Sequence, residues 1–241
     1  MTQQARIRLD DHEIAYSLLR SNRRTIGFVI NKDGLTVTAP QRVGVREVEG
    51  ALQEKSRWIL SKLAAWAERP HQRELAYESG EILPWLGGEL RLQVEPRGIR
   101  TTLRREGDRV LVTVDPQAGG ELRRRAIAAA LMRHYKREGE QFMRPRVEAF
   151  AARLDRPVRK VVIRDQKRRW GSCAPDGTIR LNWRLMGFPE ILVDYVCAHE
   201  AAHLVEANHS PAFWRTVERL MPDWRVHRAE MRRAAELWTW S

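Results

Sequence analysis

His199-Glu200-Ala201-Ala202-His203, with a further imidazole at His209, sets the chemistry that this chain can carry. On a helix, residues four apart lie about 40° from each other around the axis, so His199 and His203 project from one face. Glu200 sits about 60° further round from His203, within reach of a water on an ion held by the pair. Two neutral imidazoles, a third ligand after a bend and one open position describe a catalytic zinc site. Bound Zn2+ brings its water towards a pKa of roughly 7, and a neighbouring carboxylate can take the proton. The motif predicts metal-assisted hydrolysis. The alternative is a helix with surface histidines and no metal. Ile191, Leu192, Tyr195, Val196, Leu204 and Val205 flank the motif and predict a buried helix instead, on which imidazoles need partners.

The third ligand is a separate inference. Asn208-His209-Ser210-Pro211 reads as a helix exit, a turn and a new helix start. Asn tolerates the left-handed conformation that ends helices, Ser210 suits an N-cap, and Pro211 suits the first helical position. His209 then returns towards the two helical imidazoles, with Glu206 as its rival. The spacing equals that of the metzincin motif, but Glu206 stands where that group has Gly, so the tight turn is missing. Met221, before Pro222-Asp223, reads as core rather than as a Met-turn. Tyr195 lies one helical turn before His199 and is either core or a hydrogen-bond donor near the metal. His227, in the tail after Trp224-Arg225, is either a surface residue or a group that reaches the cleft.

The elements that must position these residues follow from local pattern. Trp170-Gly171-Ser172-Cys173 and Ile179-Arg180-Leu181-Asn182 look like a hairpin closing on Pro175-Asp176-Gly177. A strand bordering a metal can align an extended substrate by backbone hydrogen bonds, and Gly171 permits close approach of another backbone. The competing reading is a core strand with Trp170 as packing and Gly171 as a bulge. Asn182 either orients the metal helix or binds substrate. Lys167-Arg168-Arg169 abuts this strand and could hold a phosphate or an acidic peptide. Trp170, Gly171, Ser172, Asn182, Lys167 and Arg168 are therefore the candidate substrate-binding residues.

Further out, residues 5 to 39 read as two hairpins with turns at Asp10-Asp11 and at Asn31-Lys32-Asp33-Gly34. Val45, Val48, Leu52, Ile59, Leu63 and Trp66 predict one amphipathic helix from about 45 to 68. Gly87-Gly88 and Glu106-Gly107-Asp108 mark further hairpins. Residues 121 to 154 are helical in pattern, with Pro145 expected to kink or divide them. Val161-Val162-Ile163 is a short strand, and three helices complete the chain. No internal repeat is visible. The reading is an α+β protein with an N-terminal hairpin-rich region over 1–118 and a metal-dependent hydrolase region over 119–241, the latter built on a short antiparallel sheet and the HExxH helix.

Composition narrows the setting. At 241 residues the chain can bury a sizeable core, and no apolar run approaches the roughly 20 residues that cross a bilayer. Met1-Thr2-Gln3-Gln4 carries no secretory signal, so the expected location is cytoplasmic. Cys173 and Cys197 lack paired CxxC spacing and suit a reduced compartment, with Cys197 a small buried apolar residue. The net charge of +12, with runs at Arg123-Arg124-Arg125 and Lys167-Arg168-Arg169, favours anionic partners or is a solvated face. Oligomeric state leaves no mark on the sequence.

Arg169 to Cys173, Ile179 to Asn182, Asp194-Tyr195-Val196, His199 to His203, and Asn208-His209-Ser210 with Phe213-Trp214 together resemble the YgjP-like metallopeptidase-domain family, whose relatives are the SprT-like and WLM zinc-dependent proteins. The hairpin ending at Pro40 and Lys55-Ser56-Arg57-Trp58-Ile59 also fit, so the resemblance covers most of the chain. It implies a zincin-like core, zinc on His199, His203 and His209, and Glu200 as general base. The residues about 70 to 118 make this chain longer than the family's minimal pattern. Three functions are compatible with these features. The first is a zinc metallopeptidase acting on peptide or protein. The second is a metal-dependent nucleoside triphosphate pyrophosphohydrolase, motivated by the basic run. The third is a SprT-like protein associated with nucleic acid through its basic surface.

Overall fold

The computed structural model describes residues 2–31, 34–67, 75–166 and 169–237. Among them are three small sheets and six α-helices, a mixed α+β fold. The chain divides into two compact units, Met1–Gln72 and Arg73–Ser241.

The first unit opens with β1 (Thr2–Leu9), β2 (His12–Ser21), β3 (Gly27–Asn31) and β4 (Gly34–Pro40), in the order β1-β2-β4-β3. Each hairpin is antiparallel, and the two join through a parallel pairing of β2 with β4, from Tyr16 opposite Leu35 to Ser21 opposite Pro40. Strand alternation puts Leu35, Val37 and Ala39 of β4 and Tyr16 and Leu18 of β2 in the core. Val48 and Leu52 of α1 (Val45–Glu54) and Ile59 of α2 (Ser56–Ala67) join the same core. The single helix predicted here is thus two. Lys55, at φ −100° and ψ 11°, leaves the helical region, and the ladder resumes with the Ile59 amide donating to the Lys55 carbonyl. The buried stripe runs across the break, so apolar periodicity cannot reveal it. Asp10, at φ 48°, makes the expected first turn, while Lys32 and Asp33 of the second lie outside the described residues.

The second unit begins with β5 (Ile82–Trp85), β6 (Gly88–Pro96), β7 (Thr102–Glu106) and β8 (Arg109–Val114), in the order β5-β6-β8-β7. Here again two hairpins meet through a parallel pair, β6 with β8. The two sheets share one topology although the sequence shows no repeat. What they have in common is alternation and pairing, and these require few identical residues. Val110, Val112 and Val114 share a core with Ile127, Leu131 and Tyr135 of α3 (Gly120–Ala152), against which β7 and β8 pack. The boundary expected at 118/119 therefore falls inside the second unit, because the apolar stripe of α3 is buried with this sheet. Pro145 does not divide α3, which runs unbroken for 33 residues.

Beyond α3 come β9 (Lys160–Arg164), β10 (Gly171–Cys173) and β11 (Thr178–Asn182), in the order β10-β11-β9. The hairpin of β10 with β11 is antiparallel, but β9 lies parallel to β11. The short antiparallel sheet expected here is mixed, because β10 flanks β11 on the side opposite β9. A 3-10 turn over Trp183–Gly187 leads to α4 (Glu190–Ala202), α5 (Pro211–Leu220) and α6 (Trp224–Leu237). Helix α4 packs against α3, α5, α6, β10 and β11. It is buried on most sides, as the residues flanking the HExxH motif predict. Arg146 of α3 holds its first turns, forming an ion pair with Asp194 at 2.9 Å and donating to Glu190 at 3.2 Å. No helix of the described residues is long and apolar enough to cross a membrane.

Candidate metal centre and cleft

Helix α4 carries His199 and Glu200 on its last turn, and His203 is its C-cap, at φ −67° and ψ −14°. The chain then turns at once, with the Leu204 amide on Ala201 and the Val205 and Glu206 amides on Ala202. The helix ends at Ala202 rather than near Asn208. Asn208 is also not left-handed; among the described residues other than Gly, positive φ occurs at Asp10, Tyr77, Leu86 and Asp155. Ser210 does cap α5, accepting from the Phe213 amide at 3.3 Å, and Pro211 opens that helix. His209 is thereby returned to the end of α4. Its Nε2 lies 3.0 Å from His199 Nε2, and the ligand atoms of His199, His203 and His209 all fall within 4.8 Å of one another.

The rival ligand Glu206 acts differently. Its backbone carbonyl accepts from His203 Nδ1 at 3.0 Å, and its carboxylate is not part of the cluster. A carbonyl can only accept, so the His203 proton is on Nδ1 and Nε2 is free to ligate. Burial first, and then the neighbouring imidazoles, drive the His199 pKa down to about 3, while burial lowers that of His203. Imidazoles held neutral with converging nitrogens are the donor set of a zinc-class ion, and the residues present fit one. Phe213 packs beneath all three rings, with centroids 4.5 to 4.9 Å away. Trp214 stacks on His209 at 5.7 Å and on Trp224 at 4.3 Å.

Glu200 is 5% exposed, its Oε2 has no hydrogen-bond partner, and burial pushes its pKa up to about 8 against the pull of Arg169. The carboxyl group lies directly on Gly171. A Cβ there would be 2.5 Å from Oε1, 2.6 Å from Cγ and 2.7 Å from Cδ. Gly171 is approached closely by the side chain of Glu200, where the sequence suggests another backbone. Both line a cavity of about 460 Å³ together with Trp170, Tyr195, His199 and Arg228. Its other walls are Arg169, Val196, Met231 and Arg232.

Of the residues expected to bind substrate, Trp170 and Gly171 line this cavity, whereas Ser172 and Asn182 do not. Asn182 is 2% exposed and fully engaged within the fold. Its Nδ2 donates to the carbonyls of Gln166 and Arg169, and its Oδ1 accepts from the Arg184 amide. It clamps the loop before β10, with both amide protons taken up by backbone carbonyls. Lys167 and Arg168 lie outside the described residues. Tyr195 is buried, as its core reading has it, and it also lines the cavity. His227 faces Glu230 instead of the cleft, and Met221 is core. The two cysteines are free, and burial raises both thiol pKa values, that of Cys173 to about 11. In the run Arg123–Arg125, Arg124 donates to the Leu75 carbonyl and Arg125 pairs with Glu121. Sequence reasoning missed Arg228 and Arg232. Their i, i+4 spacing, with Met231 beside them, was the available signal.

A convergent imidazole triad beside a buried carboxylate, on an α+β frame, is the arrangement of a metal-dependent hydrolase. The chain belongs to the YgjP-like family, matching its metallopeptidase domain over residues 24–234. Such a domain implies a divalent metal and a peptide substrate. A solved structure, described as the metallopeptidase zymogen of Pyrococcus abyssi abylysin, is 29% identical with a TM-score of 0.35, covering 39% of this chain and 94% of that one. No curated protein matches the chain.

Proposed function

We propose that this protein is a zinc-dependent metallopeptidase with a zincin-like arrangement, in which His199, His203 and His209 hold the ion and Glu200 is the general base. The observation that carries the reading is the convergence of three imidazole ligand atoms within 4.8 Å, one of them on His199, which lines the same cavity as Glu200. When bound, zinc supplies Lewis acidity and brings a water towards a pKa of roughly 7. Glu200 takes the proton of the attacking water and returns it to the leaving amine. Gly171 leaves room for that carboxyl group, and the Glu206 carbonyl fixes the ring of His203. Strand β10, at the edge of its sheet beside the cavity, offers an extended peptide its unpaired backbone. All of these residues fall in the segment 119–241, where we place the chemistry.

The test joins metal content to turnover. Wild type should hold about one zinc per chain, and His199→Ala or His203→Ala should lose it. Glu200→Gln should keep zinc and fold while losing peptide hydrolysis by about 10²–10⁴-fold. A Glu200→Gln protein that holds zinc and cleaves at the wild-type rate would refute the mechanism. A second reading, hydrolysis of nucleoside triphosphates, draws on Arg169, Arg228 and Arg232 in the same cavity. It requires turnover of a triphosphate that also depends on Glu200.

A further inference from the structure

The cavity beside the metal ligands is more cationic than the hydrolytic step needs: Arg169 acts on the Glu200 carboxyl, and Arg228 and Arg232 have no part in that step. Arg169 enters it from the loop before β10, and Arg228 and Arg232 enter one turn apart on α6. Among the described residues, none of the three guanidinium groups forms an ion pair with a carboxylate. What sets these three apart from the other arginines without an ion pair is that they line one cavity. Glu200, the acid lining the same cavity, is 5% exposed and lies against Gly171. Arg228 is held in place without neutralisation: its Cζ lies 4.5 Å from the Trp214 ring centroid and 5.9 Å from that of Trp224. A cation–π seat fixes a guanidinium while leaving its in-plane N–H donors free. Three guanidinium groups around one cavity, none of them ion-paired with a carboxylate among the described residues, call for an oxyanion.

Resting on the metallopeptidase reading above, we propose that Arg169, Arg228 and Arg232 form a subsite for a carboxylate of the peptide substrate, next to the bond that is cut. The remaining walls favour a peptide over a nucleotide. Trp170, Tyr195, Val196 and Met231 make an apolar floor, and β10 is an edge strand that ends at the cavity. A chain laid along β10 by backbone hydrogen bonds brings its side chains alternately towards and away from the arginines. The carboxylate has two possible sources, an acidic side chain or a free C-terminus, and both make the same bidentate contacts.

The experiment measures binding as well as turnover, on the full chain. Four alanine-based hexapeptides are compared on zinc-loaded Glu200→Gln by calorimetry: Glu or Gln at the central positions, each as free acid and as C-terminal amide. Cleavage of the same set by wild type is then ranked by kcat/KM. A Glu preference of about tenfold or more that survives amidation identifies a side-chain subsite, whereas a free-acid preference of that size identifies a C-terminal one. In Arg228→Met/Arg232→Met the ratio of acidic to neutral peptide should fall towards one and lose its salt dependence. The ratio is the readout because a merely structural defect weakens both peptides alike. Equal binding and cleavage of acidic and neutral peptides by the wild-type cavity would overturn the subsite and leave the peptidase reading standing. No peptide bound or cut, but a nucleoside triphosphate hydrolysed with a KM that rises in the double variant, would overturn both.

Discussion

Glu200 owes its position to a missing methyl group. Gly171→Ala would put a Cβ 2.5 Å from Glu200 Oε1, and neither backbone nor carboxyl can absorb that without moving. A displacement of the order of 1 Å can cost about a hundredfold in rate. Gly171→Ala is accordingly expected to lose about that much turnover at unchanged zinc content, measured as kcat/KM beside elemental analysis. Wild-type turnover in that variant would show that the contact is slack. His134 gives a second test at this scale. It is 3% exposed and stacked on Trp85, and Arg137 Nη2 lies 3.0 Å from its Nδ1. Burial lowers its pKa, and the Arg137 and Arg105 charges add to this against Glu138. The folded state therefore refuses a proton that the unfolded chain accepts near 6.5. The stability from a neutral His134 is present above that value and lost as pH falls below it. Between pH of about 7.5 and 5.5, wild type should lose more Tm than His134→Gln. Parallel curves would exclude the effect. The motif of His199, Glu200 and His203 was legible because its spacing is local, whereas the fit of Glu200 to Gly171 depends on two elements meeting.

At the scale of elements, the turn from α4 into α5 makes a triad out of a pair. Ser210 holds the start of α5, and His209 stands immediately before it. Ser210→Ala should lower stability by about 1 kcal/mol, the ordinary cost of an N-cap, and should raise the zinc Kd as well. Chelator competition beside thermal melts checks both, and an unchanged Kd would mean that His209 is placed by Trp214 and Phe213 alone. The sequence announced this cap and the Pro211 start. It did not announce that α4 would end at Ala202, because successive backbone turns end it without a left-handed residue. Nor could it place Arg228 and Arg232, which line the cleft only because α6 folds back onto α4. The Lys55 break and the parallel pairing of β9 with β11 escaped for the same reason. Each is decided by packing between segments, while periodicity reports only one segment at a time.

On the scale of the whole molecule, two hairpins joined by a parallel pair occur twice, once in each unit. Each sheet contributes to a separate apolar core, and the two cores share no buried residue. A fragment covering residues 73–241 should then melt cooperatively and retain about one zinc, as differential scanning calorimetry and metal analysis would record. Loss of cooperative melting or of zinc in that fragment would show that the second core depends on the first unit. The α+β class was readable from alternation giving way to helical spacing. The shared topology was not, because parallel pairing joins strands from different hairpins and leaves no contiguous signature.

The stack of Trp214 on His209 also makes the centre visible to light. An ion on His209 puts positive charge against the face of an indole, and the excited state of an indole responds to such a field. Wild-type emission should change in step with metal loading, and Trp214→Phe should remove that part of the signal from the nine tryptophans of the chain. Filling of the site could then be followed in real time, without substrate and without label.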